Sequence, residues 1–228
     1  MKPKIAFDLD EVVVEMCGTA LKEIFNPYFN INMSKKLWLS YHFEEVINSL
    51  HPEKLEKPLT FHDFSRILKE NSDNGFLENL KPLDYSIETI LKLESEGFDV
   101  SYITFRSTLF YNKPQERTKY WLEQYGLNPD KVYFSQDKSK KMDELGVKLM
   151  VEDMPHTALK IADDKKVLLF SYPWNTKTSE DQLLNKKTRA EKHELIDMIE
   201  ADKNITRVYD WKQIYNKIHE WKDNQISF

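Results

Sequence analysis

The 228-residue chain has little of what staples or hinges a small fold: one cysteine and five glycines. The single thiol, Cys17, has no second cysteine to pair with, which points to a reducing cytoplasm. No histidine lies near Cys17 in the sequence, so it reads as a small buried thiol rather than a nucleophile. There is no Gly-rich phosphate loop. No run reaches about 18 apolar residues and the N-terminus leads almost directly into a strand-like segment, so the chain reads as soluble, unexported and without a membrane partner. Positive charge is not in excess: 33 Lys and Arg stand against 38 Asp and Glu, a formal net charge of −5. That argues against coating a nucleic-acid polymer and leaves room for a local basic pocket that takes a small anion. The six histidines show no metal-ligand spacing.

What is present is core-forming material, 40% hydrophobic, enough for one large domain or for a core with a smaller insertion. Five short β-rich runs stand out: IAFDLD (5–10), FDVSYITF (98–105), KVYF (131–134), VKLMVED (147–153) and KVLLFSY (166–172). Between them, 84–97 places Ile87, Ile90, Leu91 and Leu93 at helical spacing and ends on Gly97, and 114–126 opens on Pro114 and ends on Gly126. Nearly continuous apolar strands alternating with helices predict an α/β fold, a Rossmann-like parallel sheet with helices on both faces. The stretch 16–80 breaks that rhythm, being far longer than a βα connection. Its helical apolar spacing and many aromatics predict a mostly helical cap inserted after the first strand, the core comprising 1–15 and 81–228. The charged segment 175–204 reads as a solvated helical extension. Residues 210–222 carry Trp211, Ile214, Tyr215, Ile218 and Trp221 at the spacing of a helix packed on the core.

In an open parallel sheet, ligands bind beyond the carboxyl ends of the strands. Those ends carry Asp8 and Asp10, then Thr104 and Arg106, then Lys138 just past the third run, then Glu152 and Asp153. Each has a dull reading alone: an acidic turn, a strand hydroxyl, a solvated basic turn, the first-turn acids of a helix opening at Met154-Pro155. Together they supply carboxylates for a hard cation, a hydroxyl and a lysine for phosphate oxygens, and a carboxylate free to act. A few oxygen ligands with open water positions suit Mg²⁺ and a phosphorylated substrate. A carboxylate can then serve as nucleophile and a second acid can move the proton.

The succession DLDEV, ITFR, DKSKK and VEDMP resembles the four motifs of the haloacid-dehalogenase-like (HAD) phosphatases. Within them it is most similar to 5′(3′)-deoxyribonucleotidases and related bacterial and phage nucleotidases, over the core strands and the tail YPWN…ITRVYDWKQIY. The resemblance implies a Mg²⁺-dependent phosphomonoesterase acting on nucleoside monophosphates through an aspartyl-phosphate. It makes Asp8 the nucleophile, Asp10 the general acid and base, Thr104 a phosphoryl ligand and Lys138 the residue steadying the intermediate. Asp8, the backbone carbonyl of Asp10, and Asp153 would hold Mg²⁺, with Glu152 as support or additional ligand. Lys140 and Lys141 compete with Lys138, which the DKS context favours. Arg106 is either a substrate-phosphate ligand or one half of a structural ion pair. Two positions depart from the family pattern: Glu11 stands where a glycine is usual, and Glu152 where an aspartate is. Most cap aromatics belong to the cap's own core, and Trp38 or Phe43 is the expected exposed ring lining the cleft. A sugar or other metabolite phosphate as substrate and a catalytically silent binding protein are the alternatives. A receiver-type phosphoacceptor is set aside, because its acceptor aspartate follows the third strand and no long insertion occurs there.

Overall fold

The computed structural model describes residues 2–73 and 75–226. Six strands form one all-parallel sheet: β1 (Lys4–Phe7), β2 (Asp99–Thr104), β3 (Val132–Phe134), β4 (Leu149–Glu152), β5 (Lys166–Phe170) and β6 (Ile205–Val208), in the order β3-β2-β1-β4-β5-β6. Alternate residues point to opposite faces, and the core divides accordingly. Ile5, Phe7, Val100, Tyr102, Leu149 and Val151 join one apolar cluster, whereas Ala6, Ile103, Met150, Val167 and Leu169 join the other. The helices Ser86–Ser95, Pro114–Gln124 and Trp211–Ile226 contribute to the first cluster. Lys138–Leu145, Pro155–Ala162 and Lys186–Ala201 contribute to the second. The sheet is therefore covered on both faces, as the continuous apolar runs predict.

Three sequence expectations change at this level. The first strand ends at Phe7 rather than at Asp10, because the chain folds at once into a tight turn. In it the Leu9 carbonyl accepts from the amides of Val12, Val13 and Val14, at 3.3, 2.8 and 2.9 Å. Ile205–Val208 adds a sixth strand at the edge; its central positions are half exposed, so its sequence ITRV lacks the apolar continuity of the buried strands. The segment 175–204 contains the helix Lys186–Ala201, which packs on Pro155–Ala162, and its charge includes a buried Asp181–Lys192 pair. It is part of the fold, not only a solvated extension.

The insertion leaves and rejoins the sheet through one neck, where Glu15 N–H donates to the Lys81 carbonyl (2.9 Å) and Leu83 N–H to the Val13 carbonyl (2.8 Å). Between these points run short helical turns from Cys17 to Phe29, then the helices Phe43–Leu50 and Phe61–Asn71. The stretch 38–42, inside the segment expected to be mostly helical, is not helical, and Trp38 and Tyr41 within it line the cleft. The apolar cluster continues from Phe7 and Trp211 through Val12 and Phe25 to Phe43 and Ile67. Trp211 stacks on Phe7 (5.3 Å between centroids) and donates its indole N–H to the Val12 carbonyl at 3.0 Å, fixing the turn that carries the aspartates. Among the described residues no helix is long and apolar enough to cross a membrane.

Candidate active site

The strand order reverses between β1 and β4, and a crevice opens there beyond the carboxyl ends. Asp8 follows β1 directly, with its amide bonded to the Val151 carbonyl of β4 at 3.0 Å. Thr104 closes β2, Glu152 closes β4, and Lys138 opens the helix after β3. The sheet thus brings together four segments spread over 145 positions of sequence, from Asp8 to Asp153. One cleft is lined by Asp8, Asp10, Thr104, Lys138 and Asp153.

Lys138 sits at the centre. Its ammonium lies 2.8 Å from Asp8 Oδ2 and 2.8 Å from Glu152 Oε2, and all three residues are buried. Glu152 Oε1 accepts the backbone N–H groups of Asp153 (3.2 Å) and Met154 (3.0 Å), so each Glu152 oxygen has a partner. Lys140 and Lys141 make their side-chain and backbone contacts elsewhere, with Asp137 and Glu144. Trp174 donates its indole N–H to Asp153 Oδ2 at 3.2 Å. Asn175 bridges the Asp153 and Phe170 carbonyls at 2.7 Å each, tying the turn after β5 to the end of β4.

Asp8, Glu152 and Asp153 each place one carboxylate oxygen within 4.8 Å of the others. Three carboxylates against one ammonium leave a formal charge of −2 in a buried place, which burial and mutual repulsion both oppose. Burial, with Glu152 and Asp10 adding to it against Lys138, pushes the Asp8 carboxyl up to about 7. Burial, then Glu152 and Asp8, hold Asp153 well above the usual carboxylate range. Burial works against the charge on Lys138, but Asp8 and Glu152 outweigh it and raise its pKa. Two atoms have no partner in this setting, Asp8 Oδ1 and Thr104 Oγ1, both fully buried. An orphaned carboxylate oxygen beside two more hard oxygen donors and an excess of negative charge fits a divalent cation.

Asp10 is arranged differently. Its side chain is 21% exposed and is gripped by Arg106, whose Nε lies 3.2 and 3.1 Å from the two carboxylate oxygens and whose second terminal nitrogen lies 2.6 Å from Oδ1. The Asp10 carboxylate is outside the converging trio, so any cation contact from this residue falls to its backbone. Arg106 also donates to Thr118 Oγ1 at 3.1 Å and is buried. Of the two readings of Arg106, the ion pair is the one seen here: its guanidinium contacts Asp10 and Thr118.

Glu11 shows what the usual glycine is for. It has φ +58°, the left-handed region that a side chain enters at a cost. Its buried carboxylate accepts the Cys17 N–H and pairs with Lys35, which in turn lies 4.5 Å over the Tyr172 ring. Burial drives the Cys17 thiol well above its ordinary pKa, with Glu11 adding to the rise.

Much of the remaining cleft wall is aromatic: Trp38, Tyr41, Phe61 and Phe64 come from the insertion, and Phe105, Phe110, Tyr111 and Trp174 from the core. Trp38 lines the cleft, but as a wall only 4% exposed, not as an exposed ring. Phe43 is corrected outright: it is 1% exposed, outside the cleft, and packed against Trp38, Phe25 and Phe64 at 4.2, 4.6 and 5.7 Å. The exposed rings of the cleft are Tyr41 and Phe61 from the insertion, at 41% and 44%, and Phe105 after β2, at 38%. Helical periodicity gave no means of finding Tyr41, because it lies where the helix is broken. Trp174 is positioned by the Pro173–Asn175 turn, a signal visible in the sequence only as YPWN.

The family described as "5' nucleotidase, deoxy (Pyrimidine), cytosolic type C protein" matches residues 2–204. A candidate nucleotidase of Bacillus cereus is 24% identical over 159 residues, which are 67% of this chain and 77% of that protein. Two solved structures share the fold. A predicted phosphatase from Clostridium acetobutylicum has a TM-score of 0.56 at 13% identity, covering 96% of this chain and 99% of its own. A HAD family hydrolase from Deinococcus radiodurans, with bound phosphate and sodium, has a TM-score of 0.57 at 13% identity, covering 95% and 93%.

The Arg106–Asp10 fork generates a test. Arg106→Ala leaves a carboxylate and a buried hydroxyl without their donor and is expected to destabilise the fold by about 3 kcal/mol, read from the urea unfolding midpoint. Arg106→Lys restores only part of that, since an ammonium cannot make the planar fork. An unchanged midpoint together with a raised KM for substrate would return Arg106 to the phosphate.

Proposed function

The chain belongs to the 5′ nucleotidase, deoxy (pyrimidine), cytosolic type C family of HAD-like hydrolases acting on phosphomonoesters, and from that premise we propose that it hydrolyses nucleoside monophosphates through an aspartyl-phosphate on Asp8 with Mg²⁺ bound beside it. The observation that carries the chemistry is the pair of buried, unpartnered oxygens, Asp8 Oδ1 and Thr104 Oγ1, next to an ammonium that holds Asp8 by its other oxygen. A nucleophile needs one free lone pair and a fixed orientation, and Lys138 supplies the second without consuming the first.

In this reading Asp8 Oδ1 attacks phosphorus and the bond from phosphorus to the ester oxygen breaks. Thr104 donates its hydroxyl to a phosphoryl oxygen, and Lys138 offsets charge at the carboxylate. The departing alkoxide takes a proton from Asp10, held in the same cleft by Arg106. Asp10 then takes a proton from the water that attacks the phosphorus of the acyl phosphate, which restores Asp8 as a carboxylate. Asp8, Asp153 and the Asp10 carbonyl are the residues to hold Mg²⁺. Glu152 supports them by holding both Lys138 and the Asp153 amide. Bound there, the cation offsets the charge of carboxylate and phosphate so that one anion can approach the other.

The nucleoside part of the reading rests on the aromatic wall. A phosphate site needs no rings, whereas Trp38, Tyr41 and Phe61 in the same cleft offer π-faces for a base. The division into a core of 1–15 and 81–228 and a cap of 16–80 gives these rings their place over the site. A cytoplasmic location fits the lone, buried Cys17.

Three outcomes are expected. Asp8→Asn reduces phosphate release to background at saturating Mg²⁺, and Asp10→Asn lowers kcat by roughly 10²–10⁴-fold; turnover by Asp8→Asn near that of the native enzyme removes Asp8 as nucleophile. EDTA silences the enzyme and Mg²⁺ restores it, while Ca²⁺, with more ligands at longer distances, restores it poorly; full activity of a metal-free preparation refutes the cation role. Across nucleoside and sugar monophosphates, release is fastest for nucleotides, and Tyr41→Ala raises their KM about tenfold, in keeping with about 1–3 kcal/mol per stacked base. An equal effect on a small aryl phosphate, or a sugar phosphate at the head of the panel, moves the substrate away from nucleotides.

A further inference from the structure

The aromatic wall is interrupted by a carboxylate. Glu44, in the first turn of the helix Phe43–Leu50, lines the cleft with its side chain 10% exposed. It is separate from the trio around Lys138. Its ion-pair partner is His42, whose Nδ1 lies 3.4 Å from Oε1 and whose ring is half exposed. A first-turn acid commonly serves its own helix terminus from solvent, and the neighbouring Glu45, only half buried, suits that role. Glu44 is instead nearly buried and lines a cleft walled by Trp38, Phe61 and Phe64, with the half-exposed His42 as its ion-pair partner.

An ionised carboxylate only accepts hydrogen bonds, through two coplanar oxygens. The ligand edge that matches it presents two adjacent in-plane N–H groups. Guanine has that edge, a ring N–H beside an exocyclic amine. Cytosine offers its amine alone. Thymine and uracil flank their single ring N–H with carbonyls, which would face the carboxylate oxygen to oxygen. Resting on the nucleotide reading above, we propose that Glu44 reads the base, and that this chain's cleft, unlike the pyrimidine in its family's description, selects guanine nucleotides over bases lacking the paired donors. This adds a specificity-determining residue at the end of the site that does no chemistry.

The deciding comparison is kcat/KM for 2′-deoxyguanosine and 2′-deoxyinosine 5′-monophosphates, which differ only in the exocyclic amine. The native enzyme is expected to prefer the guanine substrate by roughly tenfold or more, and thymidine monophosphate to be poorer than both. Glu44→Gln keeps size but replaces one acceptor by a donor, and is expected to bring the guanine-to-hypoxanthine ratio close to one. That ratio is taken within one preparation, so the amount of folded enzyme cancels, and a purely structural Glu44 would not move it. If the variant fails to fold, the native ratio alone decides. A native ratio near one, or a preference that survives in Glu44→Gln, overturns the assignment while leaving the nucleotidase reading intact. Hydrolysis of a small aryl phosphate with no nucleotide accepted overturns the nucleotide reading, and the base-reading role of Glu44 with it.

Discussion

Much of this molecule depends on one buried ammonium. Lys138 lies between Asp8 at the end of β1 and Glu152 at the end of β4, 2.8 Å from each, with almost no exposure. Without it, three carboxylates would face one another in a low-dielectric crevice, and buried carboxylates so placed take up protons rather than remain charged. With it, Asp8 is oriented, Glu152 keeps a partner for each oxygen, and the excess charge is what one divalent cation can neutralise. Lys138 is delivered by the first turn of a helix whose start Asp137 caps, its side chain accepting the Lys140 N–H at 3.1 Å. The DKS sequence is thus both a helix start and the means of placing a charge.

The turn after β1 is the second fixed point. It must present Asp8 and Asp10, reverse the chain and launch an insertion, all within a few residues. Three amides converge on the Leu9 carbonyl, Trp211 holds Val12, and the Asp8 amide is bonded to β4. The geometry requires a left-handed residue at position 11, and here that residue is glutamate. Its carboxylate is not idle: it pairs with Lys35 of the inserted segment and accepts the amide of Cys17. Lys35 lies over Tyr172, Tyr172 stacks on Trp174 at 4.4 Å, and Trp174 donates to Asp153. A continuous set of contacts therefore joins the insertion to one of the carboxylates of the site.

The insertion supplies four of the rings that line the cleft, Trp38, Tyr41, Phe61 and Phe64. Rings from 38–64 close the cleft from above, and Glu44 is the one acid among them. In the proposed reading, recognition and chemistry are carried by different stretches of sequence, so the first can vary while the second stays fixed.

The sequence by itself determined the strands, the parallel sheet and the identity of the residues at its carboxyl edge, because buried strands must be apolar and a charged residue at their ends stands out against them. Asp8, Thr104, Lys138, Glu152 and Asp153 were all legible that way as strand-end residues. The sixth strand was not, since an edge strand with one face toward water has no apolar continuity to read. Nor could the sequence say which way a long side chain turns. Arg106 could pair with phosphate or with Asp10, and only the fold shows its guanidinium hydrogen-bonded to Asp10 and Thr118. Phe43 and Trp38 have the same helical spacing in the sequence, yet the break at 38–42 put one in the core and the other on the cleft wall. That break goes with the packing of Trp38 against Trp174, a contact between residues far apart in the chain, which no local pattern encodes.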